Sequence, residues 1–174
     1  VSTIPDGAMN SMFKGCTSLP SVPSVRPLSI GKNAMNGMFQ VCTSLTDLSG
    51  IDLSALTTLK DGAMANMFYG CTSLVDASPL NLAAVSSLPA GAMNSMFYGC
   101  TSLRQTPPMR PVIINQNACK SMFHGCVALT DISSIDFSAL EQVQAQAMMS
   151  MFEDCKKLVT GPSVLPATTL GTEC

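Results

Sequence analysis

The chain has 174 residues, of which 47% are hydrophobic and 11% are charged, and its formal net charge at pH 7 is −2. This length and composition suffice for one domain with an extended apolar core. Lysine and arginine do not cluster as they do along a phosphate-binding surface, and no apolar run approaches the roughly 20 residues of a membrane-spanning helix. We therefore expect neither nucleic-acid binding nor membrane insertion.

Taken from the N-terminus, the chain repeats the motif Ala-Met-x-x-Met-Phe-x-x-Cys-x-x-Leu six times, with Cys119 in place of one methionine. The motif cysteines are spaced by 26, 29, 29, 26 and 29 residues, so that a block of 84 residues occurs twice. A unit of this size cannot bury its apolar residues alone and must stack on its neighbours. The sequence predicts an α/β repeat: a single solenoid domain over residues 1–174, with about six coils of 26–29 residues. Both termini fall inside a repeat, which predicts a fragment of a longer array.

The motif itself is predicted to be a short amphipathic helix. In the first copy, Ala8, Met9, Met12, Phe13 and Cys16 recur at steps of one, three and four residues, which is typical of the apolar stripe of a helix. Glycine precedes the motif cysteine in four copies, where a left-handed C-terminal cap is expected. The sequence therefore predicts a helix of two to three turns in each coil.

After each helix the pattern changes to alternation. The residues nine and eleven positions after each cysteine are apolar or proline, as at Ile51 and Leu53, and the residue between them is polar in five copies, as at Asp52. This alternation predicts one or two short strands per coil with one buried face, paired in parallel between successive coils.

Four motif positions are predicted to form the core in every coil. These are the second methionine, the phenylalanine, the cysteine and the leucine: Met12, Phe13, Cys16, Leu19, Met38, Phe39, Cys42, Leu45, Met67, Phe68, Cys71, Leu74, Met96, Phe97, Cys100, Leu103, Met122, Phe123, Cys126, Leu129, Met151, Phe152, Cys155 and Leu158. Because six of the eight cysteines share one column, we interpret them as reduced packing residues rather than disulfide partners. Cys119 and Cys174 lie outside that column.

The position two residues before the motif cysteine is predicted to be exposed and variable. It holds Tyr69 and Tyr98 on adjacent coils, followed by His124, the one histidine of the chain. Side-by-side tyrosines can bind a sugar or an apolar anchor of a partner. The alternative is that they are ordinary half-buried surface residues, which are common.

A second set of candidate binding residues lies on the predicted strand face. Adjacent coils place Arg26 beside Asp52 and Arg110 beside Asp136, and Asn81 occupies the same column. Asp47, Asp76 and Asp131 share another column. These groups are either surface ion pairs, which contribute little, or a polar ligand patch in which Asp47, Asp52 and Asp76 bind calcium.

No catalytic or cofactor motif is present. The sequence has no phosphate-binding glycine loop, no nucleophile elbow and no second histidine for a metal triad. We expect no enzymatic activity, no cofactor and no bound metal, apart from the calcium alternative.

The sequence Gly-Cys-Thr-Ser-Leu, at residues 15–19, 70–74 and 99–103, resembles the leucine-rich repeats of the BspA-like family of bacterial surface proteins, as does Ile30-Gly-x-x-Ala34. That resemblance implies a secreted or bacterial cell-surface module that binds a host or cell-surface protein or a glycan. Missing capping repeats favour an alternative, a structural spacer or a fibre subunit that associates end to end.

Overall fold

The computed structural model describes residues 3–161, which form one stack of six coils. Each coil contributes one two-residue strand: β1 Thr3–Ile4, β2 Ser29–Ile30, β3 Thr58–Leu59, β4 Ser87–Leu88, β5 Ile113–Ile114 and β6 Gln142–Val143. The strands pair in parallel, in the order β1-β2-β3 in one sheet and β4-β5-β6 in another. The prediction of parallel strands in a repeated, stacked chain is confirmed.

The alternating segments after each motif are less regular than predicted. Val25 bridges to Ile51, and Met109 bridges to Ile135, but these are single parallel bridges. The regular strands lie further along the chain, immediately before the next motif. Between the third and fourth coils the partner of Met109 is Leu82 rather than the Leu80 expected from the cysteine spacing.

The predicted helix is wrong: residues 3–161 contain no α-helix, and each motif is instead a series of overlapping turns. From Gly7 to Gly15, odd-numbered N–H groups donate to carbonyls of the second coil over 2.8–2.9 Å. Even-numbered N–H groups between them donate to the carbonyl three residues earlier over 3.1–3.3 Å. In an α-helix, every N–H after the first four would donate to the carbonyl four residues earlier in the same segment. Here the N–H groups donate alternately to local turns and to the next coil.

The spacing of the apolar residues explains why the motif forms turns and not a helix, because these residues recur every four positions. They come in pairs, such as Ala63-Met64 and Met67-Phe68, and each pair is preceded by a residue with positive φ. In the third coil these are Gly62 (64°), Asn66 (54°) and Gly70 (69°). Eight glycines, three asparagines and one aspartate are among the eighteen positive-φ positions, and these are the residue types that adopt this region most readily.

The core is a set of columns that run along the stack. The rings of Phe13, Phe39, Phe68, Phe97, Phe123 and Phe152 stack in sequence with centroids 5.4–5.6 Å apart. In the second to fifth coils every predicted core residue is at most 1% exposed. In the sixth coil Met151 is buried, while Phe152, Cys155 and Leu158 are half-buried.

The first coil departs from the predicted core. Met12 is 62% exposed and Cys16 is also exposed, while Phe13 and Leu19 are half-buried. The reason is that this coil packs against the second coil on one side, and no described residue covers its other side.

The cysteine column has a role that its apolar character does not suggest. The thiol of Cys42 donates to the carbonyl of Phe13 in the preceding coil, and the next four motif cysteines repeat this contact over 3.1–3.2 Å. All seven cysteines of the described range are unpaired, and Cys174 lies outside it. Burial raises the pKa of both Cys71 and Cys119 to about 12, so both thiols are neutral, and that of Cys71 is a hydrogen-bond donor.

Candidate binding surface

Three stacked aromatic rings on the surface, those of Tyr69, Tyr98 and His124, form what we call the aromatic row. The two tyrosine rings lie 4.7 Å apart and within 2° of parallel, and Tyr98 and His124 lie 4.5 Å apart at 10°. His124 Nδ1 is 3.4 Å from Glu153 Oε2 in the next coil. The row follows the buried phenylalanine column by one residue, so the same coil-to-coil spacing sets both stacks.

This stacking determines what the row can contact. Each inner ring face lies against a neighbouring ring, so a sugar cannot stack on those faces. All three residues are half-buried, which leaves ring edges and the tyrosine hydroxyls facing outwards. Edges and hydroxyls suit a protein partner, since tyrosine supplies both apolar area and a hydrogen-bonding group at interfaces.

The aspartates of the strand face stabilise their own loops. Oδ1 of Asp47 accepts the N–H of Ser49 over 2.8 Å, and Asp76 and Asp131 accept the N–H two residues ahead in the same way. The backbone hydrogen bond from Ser49 lowers the pKa of Asp47. Such local bonds are typical of aspartate in turns.

The Asp52 column also serves turns and ion pairs. Asp52 Oδ1 accepts both the hydroxyl and the N–H of Ser54, at 2.6 and 3.0 Å, and the hydroxyl makes the larger contribution to lowering the pKa of Asp52. Asn81 accepts the N–H of Ala83. Arg26 Nε lies 3.0 Å from Asp52 Oδ2, and Arg110 Nε lies 3.1 Å from Asp136 Oδ2. Both ion pairs are exposed to solvent, which screens their attraction, so each contributes little to stability.

The calcium alternative receives no support from this geometry. Residues 3–161 contain no group of three or more acidic, cysteine or histidine side chains arranged to hold a metal, and Asp47, Asp52 and Asp76 each bond within a separate turn. Calcium takes six to eight oxygen ligands. Asp47, Asp52 and Asp76 are therefore assigned to loop structure.

A polar cavity of about 480 Å³ lies across the third, fourth and fifth coils. Its exposed lining consists of Ser78, Arg104, Gln105, Thr130, Asp131, Ser133 and Ser134. Thr106, 2% exposed, also lines it, and its Oγ1 is 2.6 Å from Ser134 Oγ. Because the Ser134 hydroxyl donates to the Thr106 carbonyl over 3.1 Å, its single proton is used there and the Thr106 hydroxyl is the donor of the pair.

Sequence reasoning missed this cavity, although the 84-residue block contains a signal for it. The first block has Pro20, Ser21, Val22 and Gly50 where the second has Arg104, Gln105, Thr106 and Ser134. The repeat architecture accommodates the apolar versions, with Val22 8% exposed. The polar versions are therefore a local addition rather than a requirement of the stack.

A known family model matches most of the chain. A family model described as "Mycoplasma protein of unknown function, DUF285" matches residues 5–109 and 33–163. The chain belongs to this DUF285 family. The matches together include the aromatic row and the polar cavity, so both features lie within the family's own repeats.

Among solved structures, this DUF285 chain is similar to a leucine-rich repeat protein of T. pallidum. The match has 24% sequence identity and a TM-score of 0.44, and it covers 91% of this chain and 72% of the other. No curated protein sequence gives a match. Within the described residues, no helix has the length and apolar character needed to cross a membrane.

Proposed function

We propose that this chain is a non-enzymatic binding module, secreted or displayed on a bacterial cell surface, that holds a protein or glycan partner on the side of its stack. The aromatic row is the observation on which this function rests. The coil spacing fixes the distances between its rings. The residue type at this position nevertheless varies from coil to coil, whereas the neighbouring phenylalanine and cysteine positions do not vary. The resemblance to BspA-like repeats supports the proposed location.

The physical case for a protein partner comes from preorganisation. Stacked, half-buried rings have little rotamer freedom to lose on binding, which reduces the entropic cost of association. Tyrosine is also among the residues that dominate interface energetics. A partner that docks along the row meets tyrosine edges and hydroxyls at one end and the His124–Glu153 pair at the other.

The test measures binding to immobilised host matrix and cell-surface proteins by biolayer interferometry. For any protein that binds, Tyr69→Ala/Tyr98→Ala is expected to weaken the affinity by about tenfold or more. Tyr69→Phe/Tyr98→Phe is the matched control that keeps the ring stack and removes only the hydroxyls, and it should bind more tightly than the alanine variant. Equal affinity of the wild type and the alanine variant, with unchanged thermal unfolding, would overturn the role of the row.

A second candidate function is end-to-end assembly into a structural spacer or fibre. The exposure of Met12 and the half-exposed Phe13 on the first coil favours it, because apolar coil faces stack on one another throughout the molecule. Light scattering over a range of protein concentrations tests this function. A mass that grows with concentration, and stops growing in Met12→Lys, would support it, whereas a constant mass would exclude it.

A further inference from the structure

We infer that the polar cavity across the third to fifth coils is a binding site for a neutral, polyhydroxylated saccharide. This inference rests on the proposed binding function and names a ligand class and a second site for it. The site is separate in sequence from the aromatic row, since it lies in the loops four to eight residues after the motif cysteine. Its volume of about 480 Å³ is within the roughly 300–1,000 Å³ of small-molecule sites.

The lining selects the ligand class through its mixture of donors and acceptors. Arg104 and the amide of Gln105 donate, Asp131 accepts, the hydroxyls of Ser78 and Thr130 do both, and the Ser133 hydroxyl, whose proton goes to Asp131, accepts. A small anion would require net positive charge, and a metal ion would require grouped carboxylates, whereas the one arginine and one aspartate here cancel. Sugar hydroxyls both donate and accept, so they can satisfy each of these groups at once.

Several of these side chains are available to a ligand. Arg104 forms no salt bridge with any residue in 3–161, and within that range no side-chain hydrogen bond engages Gln105 or Thr130. Asp131 uses Oδ1 for the N–H of Ser133 and Oδ2 for its hydroxyl, yet each carboxylate oxygen retains a second lone pair. Buried Thr106 and exposed Ser134, which also line the cavity, join two adjacent coils through their hydroxyls.

Differences between the two 84-residue blocks indicate that the cavity is not a consequence of stacking. At the corresponding place, the first block has proline and valine in place of Arg104 and Thr106. Burial of the Thr106 hydroxyl is unfavourable unless it is hydrogen-bonded. The Ser134 hydroxyl supplies that hydrogen bond. The polar substitutions thus cluster at one cavity in one block.

The test is an amide chemical-shift titration of the whole ¹⁵N-labelled chain with defined neutral tetrasaccharides, including maltotetraose, cellotetraose and chitotetraose. At least one saccharide should change the amide chemical shifts of residues 104–106 and 130–134 and leave the amide chemical shifts of the aromatic row unchanged. Arg104→Ala/Gln105→Ala should then weaken binding by about tenfold. Arg110→Ala, which removes the same charge from the same coil outside the cavity, should change it less than twofold.

The outcomes separate this inference from the proposed function. Shifts confined to Tyr69 and Tyr98 would overturn the cavity as the saccharide site while leaving a binding module. No shift with any saccharide would overturn the inference, and the protein-partner experiment would still decide the proposed function. Binding that Arg104→Ala/Gln105→Ala leaves unchanged, in a variant with the wild-type melting temperature, would also contradict it.

Discussion

At the scale of single residues, the motif cysteine joins each coil to the one before it. In Cys71 the buried thiol donates to the Phe39 carbonyl, and that carbonyl already accepts the N–H of Cys42. A serine would fit this geometry but would bury a more polar group, and an alanine would leave a gap. Cysteine satisfies both the packing and the hydrogen bond.

Cys71→Ala is therefore expected to lower the free energy of unfolding by about 1–2 kcal/mol, because it removes a buried hydrogen bond and leaves a small cavity. Urea denaturation measures the change. Cys16→Ala is the matched control: Cys16 is exposed and donates no such bond, so its effect should be below about 0.5 kcal/mol. Equal effects at the two positions would contradict the role assigned to the thiol column.

The same thiols predict a dependence of stability on alkaline pH. Burial raises the pKa of Cys71 from 9.0 to about 12, so the folded state favours the neutral thiol. Its contribution to stability is complete below pH 9 and is lost as the pH rises towards 12. Urea denaturation at about pH 8 and pH 10.5 should show a smaller loss of stability for Cys71→Ala than for the wild type. Identical losses in the two proteins would contradict the contribution assigned to the neutral Cys71 thiol.

At the scale of the element, the turn segment explains which residues the repeat requires at every fourth position. Ser121 has a φ of 52° and lies in the middle of the fifth motif. Glycine adopts this conformation without the steric cost that serine carries. In a helix the opposite holds, because glycine is less favourable there than serine.

Ser121→Gly is accordingly expected to raise the free energy of unfolding by about 0.5–1 kcal/mol. Lys120→Gly, at the adjacent residue with negative φ, should instead lower it. Thermal and urea denaturation of both variants provide the comparison. Destabilisation by both substitutions would point to a helix and away from the overlapping turns.

The turn segment also marks the limit of what the sequence could predict. Stacking, parallel pairing and the column identities follow from residue spacing, because any repeat of this length must place equivalent residues side by side. The helix assignment failed because apolar residues at i, i+1, i+4, i+5 and i+8 match a period of four as well as one of 3.6. Glycine or asparagine before seven of the twelve apolar pairs, as at Gly62 and Asn66, was the signal for the turns.

The candidate sites also differ in how far the sequence predicts them. The neighbouring positions of Tyr69 and Tyr98, and of Arg26 and Asp52, follow from repeat spacing, and the structure brings both pairs together. The cavity depends on how loops of three coils curve around one another, which spacing does not specify. The use of aspartate oxygens within their own turns likewise depends on local backbone conformation.

At the scale of the whole molecule, the stack behaves as a sum of coils and contacts between neighbouring coils. The 84-residue block preserves register, since Asn33 and Asn117 occupy equivalent places with φ of 52° and 57°. Inserting a second copy of residues 33–116 after Gln116 should therefore extend the solenoid by three coils and raise the melting temperature. A copy of residues 33–115, one residue shorter, breaks the register and should not. Equal melting temperatures for the two insertions would contradict the block structure.

The spacing between coils connects the fold to the proposed function. Packed helices lie about 8–10 Å apart, whereas paired extended chains lie about 4.8 Å apart. The aromatic row has ring centroids 4.5–4.7 Å apart, so it can exist only if the motif is not helical. The preorganised binding surface therefore depends directly on the turn-based coil.

Far-UV circular dichroism of the chain, in a sample that unfolds cooperatively on heating, tests this claim most directly. The structure predicts only weak ellipticity at 222 nm, with none of the helical signal that six helices of two to three turns would produce. A spectrum indicating that about a third of the residues are helical would contradict the turn-based coil, and with it the stacked aromatic row.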